Sequence, residues 1–121
     1  MNPADLFPNE PELVSLSPGA TLFRAGDDGT EMFVLLQGVM VILLGETVVE
    51  TALRGALIGE MALIEEAPRT ATVVARTACR LVRLDQARFQ ALIRENPDFA
   101  LHVMKSLVER LREMNRRLAP V

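Results

Sequence analysis

The residues best placed to do chemistry lie in one stretch, Leu57-Ile58-Gly59-Glu60-Met61-Ala62-Leu63-Ile64 followed by Ala67-Pro68-Arg69-Thr70-Ala71-Thr72-Val73. An apolar strand that ends at Gly59 and a short helical turn that begins at Glu60 leave N–H groups pointing outward, where an anion can settle. Arg69 returns nine residues after Glu60, with Pro68 stiffening its approach. A guanidinium is a planar fork of donors that matches phosphate oxygens. Glu60, an acceptor-only carboxylate beside an anion site, is unsuited to phosphate and suited to a sugar hydroxyl. Anion donors and a hydroxyl acceptor in one cassette fit a ribose phosphate. On residue types alone, the same pair also reads as surface ion pairing.

Elements must bring these residues together, and glycine marks where they turn. Glycines fall at positions 19, 26, 29, 38, 45, 55 and 59 and nowhere later. Between them lie short segments rich in Val, Leu, Thr and Phe, so successive hairpins are expected. Strands are predicted over residues 21–24, 32–36, 39–44 and 47–51, and again over 71–75 and 80–84. The β-branched Val39, Val41 and Ile42 beside Gly38 favour strands over one buried helix across Met32–Leu44. The near-continuous apolarity there means that both strand faces are covered. From Asp85 the character changes. Asp85 can cap a helix whose apolar positions are Phe89, Leu92 and Ile93, and Asn96-Pro97-Asp98 is a second start signal. Nothing breaks a helix from there to about Leu118.

The order and spacing of the 57–73 stretch resemble the phosphate-binding cassette of the cyclic nucleotide-binding domain family. That family includes catabolite-activator-type regulators, regulatory subunits of cyclic-AMP-dependent kinase and cyclic-nucleotide-gated channels. Its Gly-Glu-x-Ala-Leu and Pro-Arg-Ser/Thr/Ala-Ala-Thr-Val patterns match Gly59 to Leu63 and Pro68 to Val73. Upstream, Gly26-Asp27-Asp28-Gly29 and Met32 to Gly38 are similar to the family's turn and following strand. Downstream, Thr77-Ala78-Cys79, Phe89 and Asn96-Pro97 are similar to its passage into the helices. The resemblance spans residues 12 to 118. It implies one mainly β domain with α: a jelly roll (double-stranded β-helix) of about eight strands over residues 12–84, then helices over 85–95 and 97–118. It implies that Glu60, next to Gly59, accepts from the ribose 2′-hydroxyl, and that Arg69 pairs with the cyclic phosphate. Backbone N–H groups of Met61, Ala62 and Ala71 would complete the cradle, and Thr70 would touch phosphate and purine. The last helix would act as a lid, with Met114 and Asn115 over the purine.

Other readings narrow the function. The chain has 121 residues, 50% of them hydrophobic and 24% charged, which fits one folded domain and not a disordered chain. A net charge of -3 and the absence of Trp and Tyr argue against nucleic-acid binding. A single cysteine, Cys79, and a single histidine, His102, leave no basis for a disulfide, a metal centre or a metal-dependent phosphodiesterase. Cys79 reads as a small buried residue. There is no nucleophile–base pair, so no enzyme is expected and no cofactor. The N-terminus is not a signal peptide, and no apolar run reaches the roughly 18 residues of a membrane span. A cytoplasmic protein is expected, without membrane insertion. The reading is a sensor whose ligand is cyclic AMP, favoured over cyclic GMP, and whose output is its last helix. The alternative is the ligand-binding fragment of a larger effector, a transcription regulator or a gated channel. No helix-turn-helix follows before Val121, so direct DNA contact is not expected. Leu101, Met104, Leu107, Val108, Leu111, Met114 and Leu118 form an apolar stripe, and the 4-3-4-3 rhythm of 104, 108, 111, 115 and 118 fits a homodimer seam with Asn115 setting its register.

Overall fold

The computed structural model describes residues 1–118. Eight strands form two antiparallel four-stranded sheets. They are β1 (Val14–Leu16), β2 (Thr21–Phe23), β3 (Met32–Gln37), β4 (Met40–Leu44), β5 (Thr47–Ala52), β6 (Leu57–Ile58), β7 (Thr72–Ala75) and β8 (Cys79–Leu84). One sheet runs β1-β8-β3-β6 and the other β2-β7-β4-β5, the strand order of a jelly roll. A helical turn α1 (Met61–Ile64) follows β6, and the chain continues into α2 (Gln86–Glu95) and α3 (Pro97–Leu118). Two short elements had no expectation in the sequence: β1, and a 3-10 turn at Pro3–Leu6 capped by Asn2.

The apolar run of β3 is buried on both faces because it separates two cores. Phe33 and Leu35 face the space between the sheets, with Met40, Ile58, Val73 and Leu81. Met32 and Val34 point the other way, into a cluster with Val82, Leu84, Phe89, Phe99 and Val103 that seats the helices. Strand β6 divides likewise, Leu57 to the outer core and Ile58 to the inner. Gly38 turns β3 into β4 at φ +99°, where a Cβ would also run into the carbonyl of Ala78. Cys79 is buried there, its Sγ 3.3 Å from the carbonyl oxygen of Val39.

The helix boundaries follow their caps. The Asp85 side chain accepts from the Arg88 N–H at 2.8 Å and starts α2. Asn96 joins the two helices through its backbone: its N–H donates to Leu92 O at 2.8 Å and its carbonyl accepts from the Phe99 N–H at 2.9 Å. Arg88 also reaches both carboxylate oxygens of Glu10, at 2.8 and 2.5 Å, tying the N-terminal segment to α2.

Candidate functional site

Between β6 and β7 the chain folds around a cavity of about 320 Å³. Its apolar walls come from the second sheet and the inner core, among them Ile42, Val49, Ile58 and Val73. Gly59, Glu60, Met61, Ala62, Arg69, Thr70 and Ala71 all line it, so the structure brings the expected cassette to one place. Gly59 has φ +75°, and a Cβ there would meet the Arg69 guanidinium. The turn that drops Glu60 into the wall therefore also makes room for Arg69.

Arg69 is buried and held from several sides. Its Nη2 donates to Glu31 O at 2.8 Å and its Nη1 to Gly59 O at 3.3 Å, while Cζ lies 4.2 Å from the centroid of the Phe23 ring. Its backbone is anchored to the turn of β2 to β3: Arg69 N–H donates to Asp27 O, and Gly26 N–H donates to Arg69 O, each at 2.8 Å. The Nε of Arg69 is buried with no hydrogen-bond partner. Burial lowers the pKa of this guanidinium, opposed by the charges of Glu31 and Asp27. A desolvated cation with spare donors is what an anionic ligand would satisfy.

Glu60 is 1% exposed. One of its oxygens, Oε1, accepts from Nη1 of Arg110, which reaches in from α3; Oε2 is buried without a partner. Arg110 also donates from Nε and Nη2 to the two oxygens of Glu50 on β5, at 3.2 and 3.0 Å, and from Nη2 to Leu57 O at 2.6 Å. Burial alone would lower the Arg110 pKa. The hydrogen bond with Glu50 and the charges of Glu60 and Glu50 outweigh that and hold it above its ordinary value. The walls carry five carboxylates (Glu50, Glu60, Glu65, Glu109, Glu113) and three guanidiniums (Arg69, Arg110, Arg117). With more carboxylates than guanidiniums the wall is not a positive one, so an anion held there would depend on local donors.

Helix α3 closes one side of the cavity through Ser106, Glu109, Arg110, Glu113, Met114 and Arg117. Met114, expected over the purine, lines this side of the cavity and is half exposed at 52%. Asn115 is not in the wall: one position further round the helix, it lies on the exposed side. The N–H of Ala62, an expected phosphate donor, donates to Gly59 O at 3.2 Å and closes the turn. Sequence reasoning missed Glu50 and Arg110. The signal available for Arg110 was a second stripe on α3 (106, 110, 113, 117) beside the apolar one. Among the described residues no cluster of His, Cys, Asp or Glu is arranged to hold a metal ion, and no helix is long and apolar enough to cross a membrane.

Comparisons with known proteins agree with this geometry. Residues 13–96 match the family model described as the cyclic nucleotide-binding domain. The chain is 37% identical over 92 residues to a cyclic nucleotide-gated potassium channel of Rhizobium etli, covering 76% of this chain and 26% of the channel. It is 29% identical over 106 residues to the cAMP-activated global transcriptional regulator CRP of Pasteurella multocida, covering 83% of this chain and 51% of the regulator. A solved structure described as Sp-2Cl-cAMPS bound to PKAR CBD2 superposes with a TM-score of 0.75 at 25% identity, over 91% of this chain and 73% of the other. The chain spans about a quarter to a half of the length of these curated relatives.

Proposed function

The chain belongs to the cyclic nucleotide-binding domain family, and from that premise we propose that it is a non-catalytic sensor that binds cyclic AMP, in preference to cyclic GMP, and reports occupancy through α3. One observation carries the reading: a buried guanidinium, Arg69, and a buried carboxylate, Glu60, line the same cavity. Arg69 then takes the cyclic phosphate and Glu60 the ribose 2′-hydroxyl. Gly59, Met61, Ala62, Thr70 and Ala71 shape the phosphate end, and Met114 covers the base. All of this sits within a single domain.

The preference for cyclic AMP is supported by the relatives, whose names include a cAMP-activated regulator and a bound cyclic-AMP analogue. The Thr70 hydroxyl, exposed at the cavity wall, also suits a guanine amino group. Calorimetric titration of nucleotide-free protein with each ligand is the test. Heat from both, with cyclic AMP tighter, is expected; no saturable heat from either would overturn the sensor reading.

A second reading, that this domain serves a larger effector such as a channel or a transcription regulator, is favoured by the partial coverage of both relatives. The outward stripe of α3 fits either case as a seam with a second copy. Leu101, Met104, Val108, Leu111 and Leu118 are 62%, 58%, 45%, 58% and 76% exposed, in the spacing of a two-helix contact.

A further inference from the structure

Two consecutive residues of β2, Leu22 and Phe23, both pack against the inner core. In a regular strand, neighbours point to opposite faces. Here the register shifts: Thr21 lies opposite Val74 and Phe23 opposite Val73, so β2 carries one residue more than β7 over that interval. An irregularity of this kind re-aims side chains. Phe23 lines the ligand cavity, and Leu22 does not.

The Phe23 ring sits against a buried charge. Cζ of Arg69 lies 4.2 Å from the ring centroid, well inside the roughly 6 Å over which a ring face attracts a cation. Behind it the ring leans on Phe33, with centroids 6.3 Å apart and planes at 37°. Arg69 is only 9% exposed, and its two acceptors, Glu31 O and Gly59 O, are both backbone carbonyls. Carbonyls orient a guanidinium without neutralising it. A carboxylate partner would stabilise the buried charge more strongly, but it would then compete with an incoming phosphate for the same donors. A ring face offsets part of the desolvation and leaves the charge available. Two glycines complete the slot: a Cβ at Gly29 would strike Nε, and one at Gly59 would strike Nη1.

We propose that Phe23 is the positioning residue for the phosphate-binding guanidinium: its ring face holds the Arg69 cation in its slot with no anion that the ligand must displace. This rests on the reading that Arg69 takes the cyclic phosphate. Without the ring face the guanidinium samples other orientations, and apparent affinity falls with the fraction of molecules in which it is correctly set.

The experiment replaces Phe23 with phenylalanine carrying one, two or three ring fluorines, which nearly preserves the ring's shape while drawing electron density from its face. Calorimetry then gives the affinity for cyclic AMP, and a thermal melt gives the stability of the ligand-free protein. Affinity should fall stepwise with each fluorine, by at least about threefold at three. Phe23→Leu, which keeps apolar bulk and removes the ring face, should also lose at least about threefold. In an Arg69→Met background Phe23→Leu should cost no further affinity, because the cation it acts through is gone. A flat fluorine series would overturn the proposal even if the melting temperature fell, since the ring would then be a core residue and no more. An equal loss from Phe23→Leu in both backgrounds would overturn it too. Undiminished affinity in Arg69→Met itself would overturn the Arg69 reading, and the proposal with it, whereas a flat series beside a weakened Arg69→Met leaves that reading standing. Should Phe23→Leu lose its cooperative melt, or the Arg69→Met background bind too weakly to compare, the fluorine series decides alone.

Discussion

Truncating Arg69 to alanine removes the one guanidinium that the cassette holds next to Gly59 and the start of α1. If that group takes the phosphate, Arg69→Ala weakens cyclic nucleotide binding at least tenfold, because a charge-assisted hydrogen bond contributes about 1.5–3 kcal/mol. Titration of the folded variant checks this, and undiminished affinity would remove Arg69 from the site. Both Glu60 and Arg69 were legible in the sequence because their spacing is local: a glycine turn, a carboxylate, a proline and an arginine within one segment. Glu50 and Arg110 were not. They arrive from a strand edge and a distant helix, each in a stretch where charged residues are common, and only the closed roll puts them 3.0 Å apart. Asn115 falls outside the cavity wall for a related reason, since a single step of about 100° round a helix separates the cavity side from the solvent side.

At the scale of elements, the strands were readable from glycine turns and from the doubly apolar β3, whereas their closure into a roll was implied only by the family resemblance. The three-residue β1 escaped notice, because a segment that short carries too little alternation to register. The seating of α3 depends on few side chains, and Phe99 is the largest of them, fully buried and edge-on to Phe89 with ring centroids 6.1 Å apart. Phe99→Ala should cost about 3–5 kcal/mol. In a thermal melt it should lower the midpoint well below that of Leu101→Ala, whose side chain is 62% exposed. Equal melting of the two variants would mean that α3 is not anchored where the structure packs it.

For the whole molecule, the exposed apolar stripe on the far side of α3 is the feature that bears on assembly. A second copy would bury Leu101, Met104, Val108, Leu111 and Leu118 in one seam while leaving the cavity side to the ligand. Sedimentation of wild type and Leu111→Glu, with and without saturating cyclic AMP, decides it. Wild type should run as a dimer in at least one condition and Leu111→Glu as a monomer in both. A wild type that stays monomeric throughout eliminates the seam, and the helix then serves only its own cavity.

The pairing of β1 with β8, which sets Val14 opposite Leu81, has a consequence for how the chain is made. The first strand can find its partner only after the last strand has been synthesised, and β2 likewise waits for β7. During translation, at about 5–20 residues per second, the apolar faces of β3 and β4 stand ready before the strands that cover them exist. Closure of the roll is therefore a late, largely all-or-none event, of the slow kind that non-local β topologies share. A nascent chain halted at Ala75 would still lack β8, the strand that pairs with both β1 and β3. Such a chain is the form in which this protein should depend most on chaperones.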